Sequence, residues 1–211
     1  MENEKYLKDL TEIRNMMSQS SRFISLSGLS GVFAGIYAIA GALVAAKILS
    51  YEPSVYTNSQ SYIATTNTDL VTQLVMVAAA VLVLAIGTAI VLTTRKAKMQ
   101  GKKIWDSTSR RLLLNFFAPL LAGGIFCLVL LQYQIIGLIA PAMLIFYGLA
   151  LIHASKYTFS DLKSLGYANV ILGLIATQFI GYGIVFWALG FGIFHIVYGV
   201  WMYNKYDRKA A

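Results

Sequence analysis

Six long apolar runs separated by short polar stretches organise this chain. They cover about residues 23–49, 69–94, 112–131, 135–155, 167–186 and 189–204. A helix needs about 20 apolar residues to cross a hydrocarbon core of about 30 Å, and each run meets or approaches that length. The third and fourth runs are joined by Gln132-Tyr133-Gln134 alone, and the last two share the stretch Tyr167 to Tyr203. That stretch predicts a tight turn near Trp187-Ala188-Leu189-Gly190. Short connections force antiparallel neighbours, so the pattern predicts an all-α polytopic membrane protein with six transmembrane helices in three hairpins. Ahead of them, residues 1–22 are polar, with Leu7, Leu10, Ile13 and Met17 at three-and-four spacing and a Glu4/Lys8 pair one turn apart. This predicts an amphipathic cytoplasmic helix. The polar lead and the length of the first run both argue against a cleavable signal peptide.

Composition narrows the class. Of 211 residues, 58% are hydrophobic and 12% charged, the latter about half the share usual in soluble domains; the mean hydropathy is +0.67. A soluble fold of this length hides roughly 70% of its surface, too little for such a sequence. A disordered chain, a disulfide scaffold and an ordinary soluble enzyme are thereby excluded. The net charge of +8 would suggest a nucleic-acid partner in a soluble protein, but its distribution points elsewhere. With the N-terminus inside, sixteen of the 17 Lys and Arg residues fall on the inner side and only Lys47 on the outer. That asymmetry predicts both termini in the cytoplasm of a plasma membrane, such as a bacterial inner membrane, with no nucleic-acid role.

The inner ends of the even-numbered runs rhyme: "GTAIVLTTRK" from Gly87, "GLALIHASKY" from Gly148, and "VYGVWMYNKY" in the sixth. The third and fifth share "NFFAPLLA" from Asn115 and "NVILGLIA" from Asn169. Three repeated hairpins favour a pseudo-threefold arrangement, a plan that resembles that of mitochondrial carriers. The charged proline motif of that family is absent and the chain is much shorter, so the family's function is not carried over.

Candidate chemistry is sparse. No Asp or Glu lies deep in any run, which argues against a carboxylate-based proton or sodium pump. His195 is the one ionisable side chain predicted at mid-membrane, and its expected role is an interhelical hydrogen bond. His153 lies about 10 Å shallower by helix rise, so the two cannot share one haem iron, and no cofactor or metal is expected. Asn115, Asn169, Gln178 and His195 form the candidate polar cluster or cavity lining. Gly31 and Gly35 make a G-x-x-x-G in the first run, and Gly192 and Gly199 mark the last; such residues let helix backbones approach closely, within the bundle or in a homo-oligomer. Lys102, Lys103, Trp105, Arg110 and Arg111, in the loop "RKAKMQGKKIWDSTSRR", are the expected contacts to anionic lipid. No metalloprotease, nucleophile-elbow or phosphate-loop pattern occurs. The expected function is a non-enzymatic membrane component that self-assembles or binds a membrane-protein partner; the alternative is a carrier or channel for a neutral or amphiphilic solute or lipid.

Overall fold

The computed structural model describes Tyr6 and residues 27–50, 68–101 and 105–208. The predicted amphipathic helix over 1–22, the bulk of the outer loop, and Lys102 and Lys103 lie outside the described residues. All regular structure among the described residues is helical: α1 (Gly28–Ser50), α2 (Thr68–Met99), α3 (Ser107–Gln132), α4 (Ile139–Ala154, entered through a 3-10 turn at Ile136–Leu138), α5 (Leu162–Ala176) and α6 (Gly183–Asp207). Five of the six, α5 excepted, are long and apolar enough to cross a membrane. By length and composition, these helices fit a helical membrane protein.

Local chemistry sets the ends. Asp106 caps α3: its Oδ1 accepts from the Ser109 N–H at 2.6 Å and from the Ser109 hydroxyl at 2.8 Å, satisfying a donor the first helical turn leaves free. The α3–α4 connection is as tight as expected, closing through Gln134 in the left-handed region (φ 58°). A proline inside a span commonly kinks its helix, but Pro141 does not do so here. It stands instead in the first turn of α4, where its missing N–H has no intrahelical partner to lose.

The last two spans differ from the sequence reading, which divided 167–186 from 189–204 near Trp187-Gly190. α5 begins at Leu162, inside the polar stretch, and ends at Ala176. The chain turns over Thr177–Tyr182, with Gly181 at φ 95°, a conformation that favours glycine. Trp187 and Gly190 lie within the continuous helix α6. Counting 20 apolar residues forward from Tyr167 misplaced the turn, because α5 is only 15 residues long and recruits Leu162 and Leu165 from the loop side.

α6 is the central helix. Each of its segments touches α1, and its other side lies against α4 and α5. α4 and α5 form the other extensive pair; α2 packs on α1 and α3 on α4. This is not a pseudo-threefold plan, because the two edge helices α2 and α3 share no extensive contact comparable to the two inner pairs. Both inner pairs are close backbone approaches made by glycine. A methyl group added at Gly35 would sit 2.6 Å from the Gly192 carbonyl oxygen, and one at Gly199 would sit 2.6 Å from the Val32 amide nitrogen. Gly148 and Gly166 stand in the same relation across α4 and α5. Dispersion and weak backbone contacts at such distances hold helices together where lipid supplies no hydrophobic drive. Gly31, Gly35, Gly192 and Gly199 thus all lie in the α1–α6 contact. Gly87 of α2 and Gly124 of α3 have open space where a side chain would go.

Gly35→Val is expected to lower the unfolding free energy by about 1–3 kcal/mol through overpacking, whereas Gly124→Ala leaves it unchanged or slightly raised. Chemical denaturation in bicelles checks this; equal losses would show that the α1–α6 approach is not limiting.

Candidate functional site

The buried polar chemistry gathers where α6 departs from regular helix. Between Ala188 and Ile193 the helix widens into π turns, and the Phe194 N–H bonds the Leu189 carbonyl five residues back. Such a bulge disturbs the regular i to i−4 ladder, and in lipid an unsatisfied carbonyl costs several kcal/mol. His195 supplies a donor within this stretch. Its Nδ1 lies 2.9 Å from the Gly190 carbonyl oxygen. A carbonyl only accepts, so Nδ1 carries a proton; an imidazolium buried away from water is costly, and in the neutral ring Nε2 is then the acceptor. The Tyr147 hydroxyl of α4 stands 2.6 Å from Nε2 and donates to it. The geometry therefore assigns one neutral tautomer of His195 and one direction to the Tyr147 bond.

His195 is 7% exposed and sits at the midpoint of the 25-residue helix Gly183–Asp207, on the order of 18 Å from either end. Rings enclose it: Phe191 stacks at 6.1 Å and Tyr147 at 5.3 Å between centroids, and Phe116 of α3 meets Tyr147 edge-on at 6.2 Å. Asn169 of α5, 0% exposed, completes the cluster. Its amide donates to the Leu165 carbonyl at 2.9 Å, while its Oδ1 faces Gly190 so closely that a methyl group there would stand 2.8 Å away. Among the described residues, that oxygen and the Tyr198 hydroxyl are buried without a hydrogen-bond partner.

Of the four residues grouped from sequence, the structure joins two. His195 and Asn169 meet through Gly190. Asn115 instead donates to its own helix at Arg111 O (2.8 Å), and Gln178 reaches Thr177 Oγ1 (3.2 Å) at the exposed α5–α6 turn. Helical phase explains Asn115: it lies four residues after Arg111 and turns back on α3 rather than toward α6. Gln178 falls outside the helices altogether, because α5 ends two residues earlier. A shallow cleft of about 110 Å³, lined by Phe126, Leu138, Pro141, Ala142, Ile145, Phe146 and Thr177, is apolar and includes none of the four.

A second constellation ties the basic end of the bundle. Asp207, the last residue of α6, accepts from Lys96 Nζ of α2 at 2.6 Å and from the Gly28 N–H of α1 at 2.9 Å. One carboxylate thus caps the start of α1, where the helix dipole favours negative charge, and pairs with the end of α2. The Lys96 and Asp207 side chains are only 14% and 11% exposed. Asp161, in the α4–α5 loop, accepts from Lys205 Nζ at 2.7 Å and the Tyr206 hydroxyl at 2.6 Å. These carboxylates, and Tyr147, were not singled out from sequence. Asp207 carried a signal, being the sole acid after the last span; Tyr147 carried only its place before Gly148, as Tyr198 stands before Gly199.

Comparison with protein-family models, with curated proteins and with solved structures finds no match to this chain.

Two outcomes follow from this geometry. Tyr147→Phe leaves the His195 acceptor dry and is expected to cost about 1–2 kcal/mol; Tyr198→Phe removes a hydroxyl without a partner and is expected to cost nothing or to stabilise. Unfolding curves of the two variants in the same bicelles check this, and the reverse order would contradict the hydrogen-bond assignment. The second concerns acid. Partial burial works against ionisation of Asp161, but the hydrogen bonds from Lys205 and Tyr206 and the Lys205 charge outweigh it and hold the carboxyl below its ordinary value. Asp106 is also held low, its burial being outweighed by bonds from Ser109. A carboxyl lowered in the folded state contributes stability that is complete above the ordinary Asp range near pH 4. That contribution drains away as pH falls through the lowered folded value. Asp161→Asn should therefore reduce stability at neutral pH and flatten its fall below pH 4, as read from unfolding midpoints across a pH series.

Proposed function

We propose that the protein is a multi-pass membrane component without enzymatic activity, which works by assembling with a second copy or with another membrane protein. In this reading the basic end, marked by the Lys96–Asp207 and Lys205–Asp161 pairs, faces the cytoplasm of a plasma membrane. Both termini then lie on that side, as the distribution of Lys and Arg favours.

One observation carries the assembly reading: α2 is attached along a single face. Val77 and Val81 pack over Gly41, Thr88 and the Tyr37 hydroxyl lie 3.2 Å apart, and Lys96 reaches Asp207. The opposite face presents Ala79, Val83 and Gly87 one turn apart, all exposed. Every glycine of the α1–α6 and α4–α5 contacts is covered by a neighbouring helix, whereas Gly87 is open. In lipid, association favours small residues that let backbones approach, so this face supports a helix–helix contact between molecules.

The carrier reading rests on a different observation, the two buried oxygens without partners, Asn169 Oδ1 and Tyr198 Oη, beside His195. It needs a polar path to reach them, and liposome uptake lost in Asn169→Leu with folding retained would support it.

In a Cys127→Ser background, Val83→Cys is expected to give an oxidant-dependent dimer in native membranes, and Gly87→Ile to abolish that dimer without lowering thermal stability. A monomer at every oxidant level, with no cross-linked partner of another mass, would overturn the assembly reading.

A further inference from the structure

The basic end carries cations beyond those paired within the described residues. Three described carboxylates lie at this end, and each is occupied within the protein: Asp106 by Ser109, Asp161 by Lys205 and Tyr206, Asp207 by Lys96 and the start of α1. The acid-free first turns of α3 and α5 are followed or occupied by cations, Arg110 and Arg111 in one and Lys163 in the other. Cations there oppose the helix dipole, so helix stability does not explain them. Tertiary packing brings the two helix starts to one apolar cluster, in which Leu151 and Ala154 at the end of α4 and Leu162 and Leu165 of α5 are packed against by Leu112 and Phe116 of α3. Arg110, Arg111, Lys156 and Lys163 are all exposed around that contact. No ion pair is seen for them among the described residues. Beside them stand two exposed aromatics, Trp105 (71%) and Tyr167 (48%), with Lys163 Nζ 5.4 Å from the Tyr167 ring centroid.

We propose that the α3–α5 junction is a binding site for the headgroup of an anionic phospholipid, with Arg110, Arg111, Lys156 and Lys163 contacting the phosphate and Trp105 and Tyr167 seating at the interface. The chemistry is that of a lipid rather than a free anion. The cations are exposed and ring the membrane-facing end of two apolar helices, and indole and phenol rings prefer the headgroup level. Arginine adds bidentate phosphate recognition, and each cation near an anionic leaflet strengthens the attraction. This inference is independent of the assembly reading, since it involves α3 and α5 and not the open face of α2.

The test uses the full chain in nanodiscs of phosphatidylcholine alone or mixed with phosphatidylglycerol, with native mass spectrometry of retained lipid and the thermal midpoint as readouts. The wild type is expected to retain phosphatidylglycerol preferentially and to melt higher in the mixed discs. Arg110→Gln/Lys163→Gln should lower that lipid preference on the order of tenfold while its melting in phosphatidylcholine stays that of the wild type. Lys98→Gln, on the far edge helix, should leave the preference intact. Equal retention of the two lipids by the wild type would overturn the proposal, as would a preference unchanged in the double variant. If inorganic phosphate in detergent gives the same rise in midpoint as phosphatidylglycerol, the site binds anions and not a lipid, and the proposal fails. If the double variant alters only membrane orientation, the cations serve topology alone, which also overturns it.

Discussion

The close backbone approach of α1 and α6 is the contact on which the rest of the bundle depends. Lipid offers helices no gain from hiding apolar side chains from one another, so their association has to come from contact distances that only glycine permits. Gly28, Gly31 and Gly35 on one helix and Gly192 and Gly199 on the other give up side chains to reach those distances. The polar groups then act on a geometry already set. Asp207 reaches the first turn of α1 because Gly28 lies against Gly199 and Tyr203 one turn before it, and Lys96 completes the pair because α2 follows α1.

The bulge at Ala188–Ile193 lies where α6 is in contact on two sides. α6 must present glycine to α1 and also to the α4–α5 pair on its other side. Gly190 sits against Leu144 and Asn169, while Gly192 faces Ile39 and Gly35. Residues two apart face opposite sides of a helix in any case; the widened turns coincide with this double contact and disturb the backbone ladder there. His195 repairs that locally, and Tyr147 occupies the lone pair the repair leaves over. The same histidine that looks like a site from sequence is therefore part of how the central helix is built, and its neutral tautomer follows from a carbonyl that can only accept.

The two edge helices stand in contrast. Among the described residues α2 packs chiefly on α1 and α3 chiefly on α4, and Gly87 and Gly124 have open space beside them. The core quartet of α1, α4, α5 and α6 holds the Tyr147–His195–Asn169 cluster, while Arg110 and Arg111 at the start of α3 are exposed.

Much of this was legible in the chain itself. Long apolar runs must become helices in lipid, because only a helix satisfies every backbone donor and acceptor within one segment, and the asymmetry of Lys and Arg marks one end of the bundle. The short Gln132-Tyr133-Gln134 connection makes α3 and α4 antiparallel neighbours without further information, and Gly31, Gly35, Gly192 and Gly199 stand out by spacing. What the sequence could not determine is which helix meets which. Periodicity identifies a face, but partner choice is a sum of weak contacts between residues far apart in the chain. Only the tertiary structure decided that the two glycine faces meet each other, that Tyr147 rather than Asn115 answers His195, and that the last turn falls at Gly181. Only there, too, are the carboxylates of the basic end seen to be occupied, because pairing of Asp207 with Lys96 joins residues 111 positions apart and leaves no trace in local sequence.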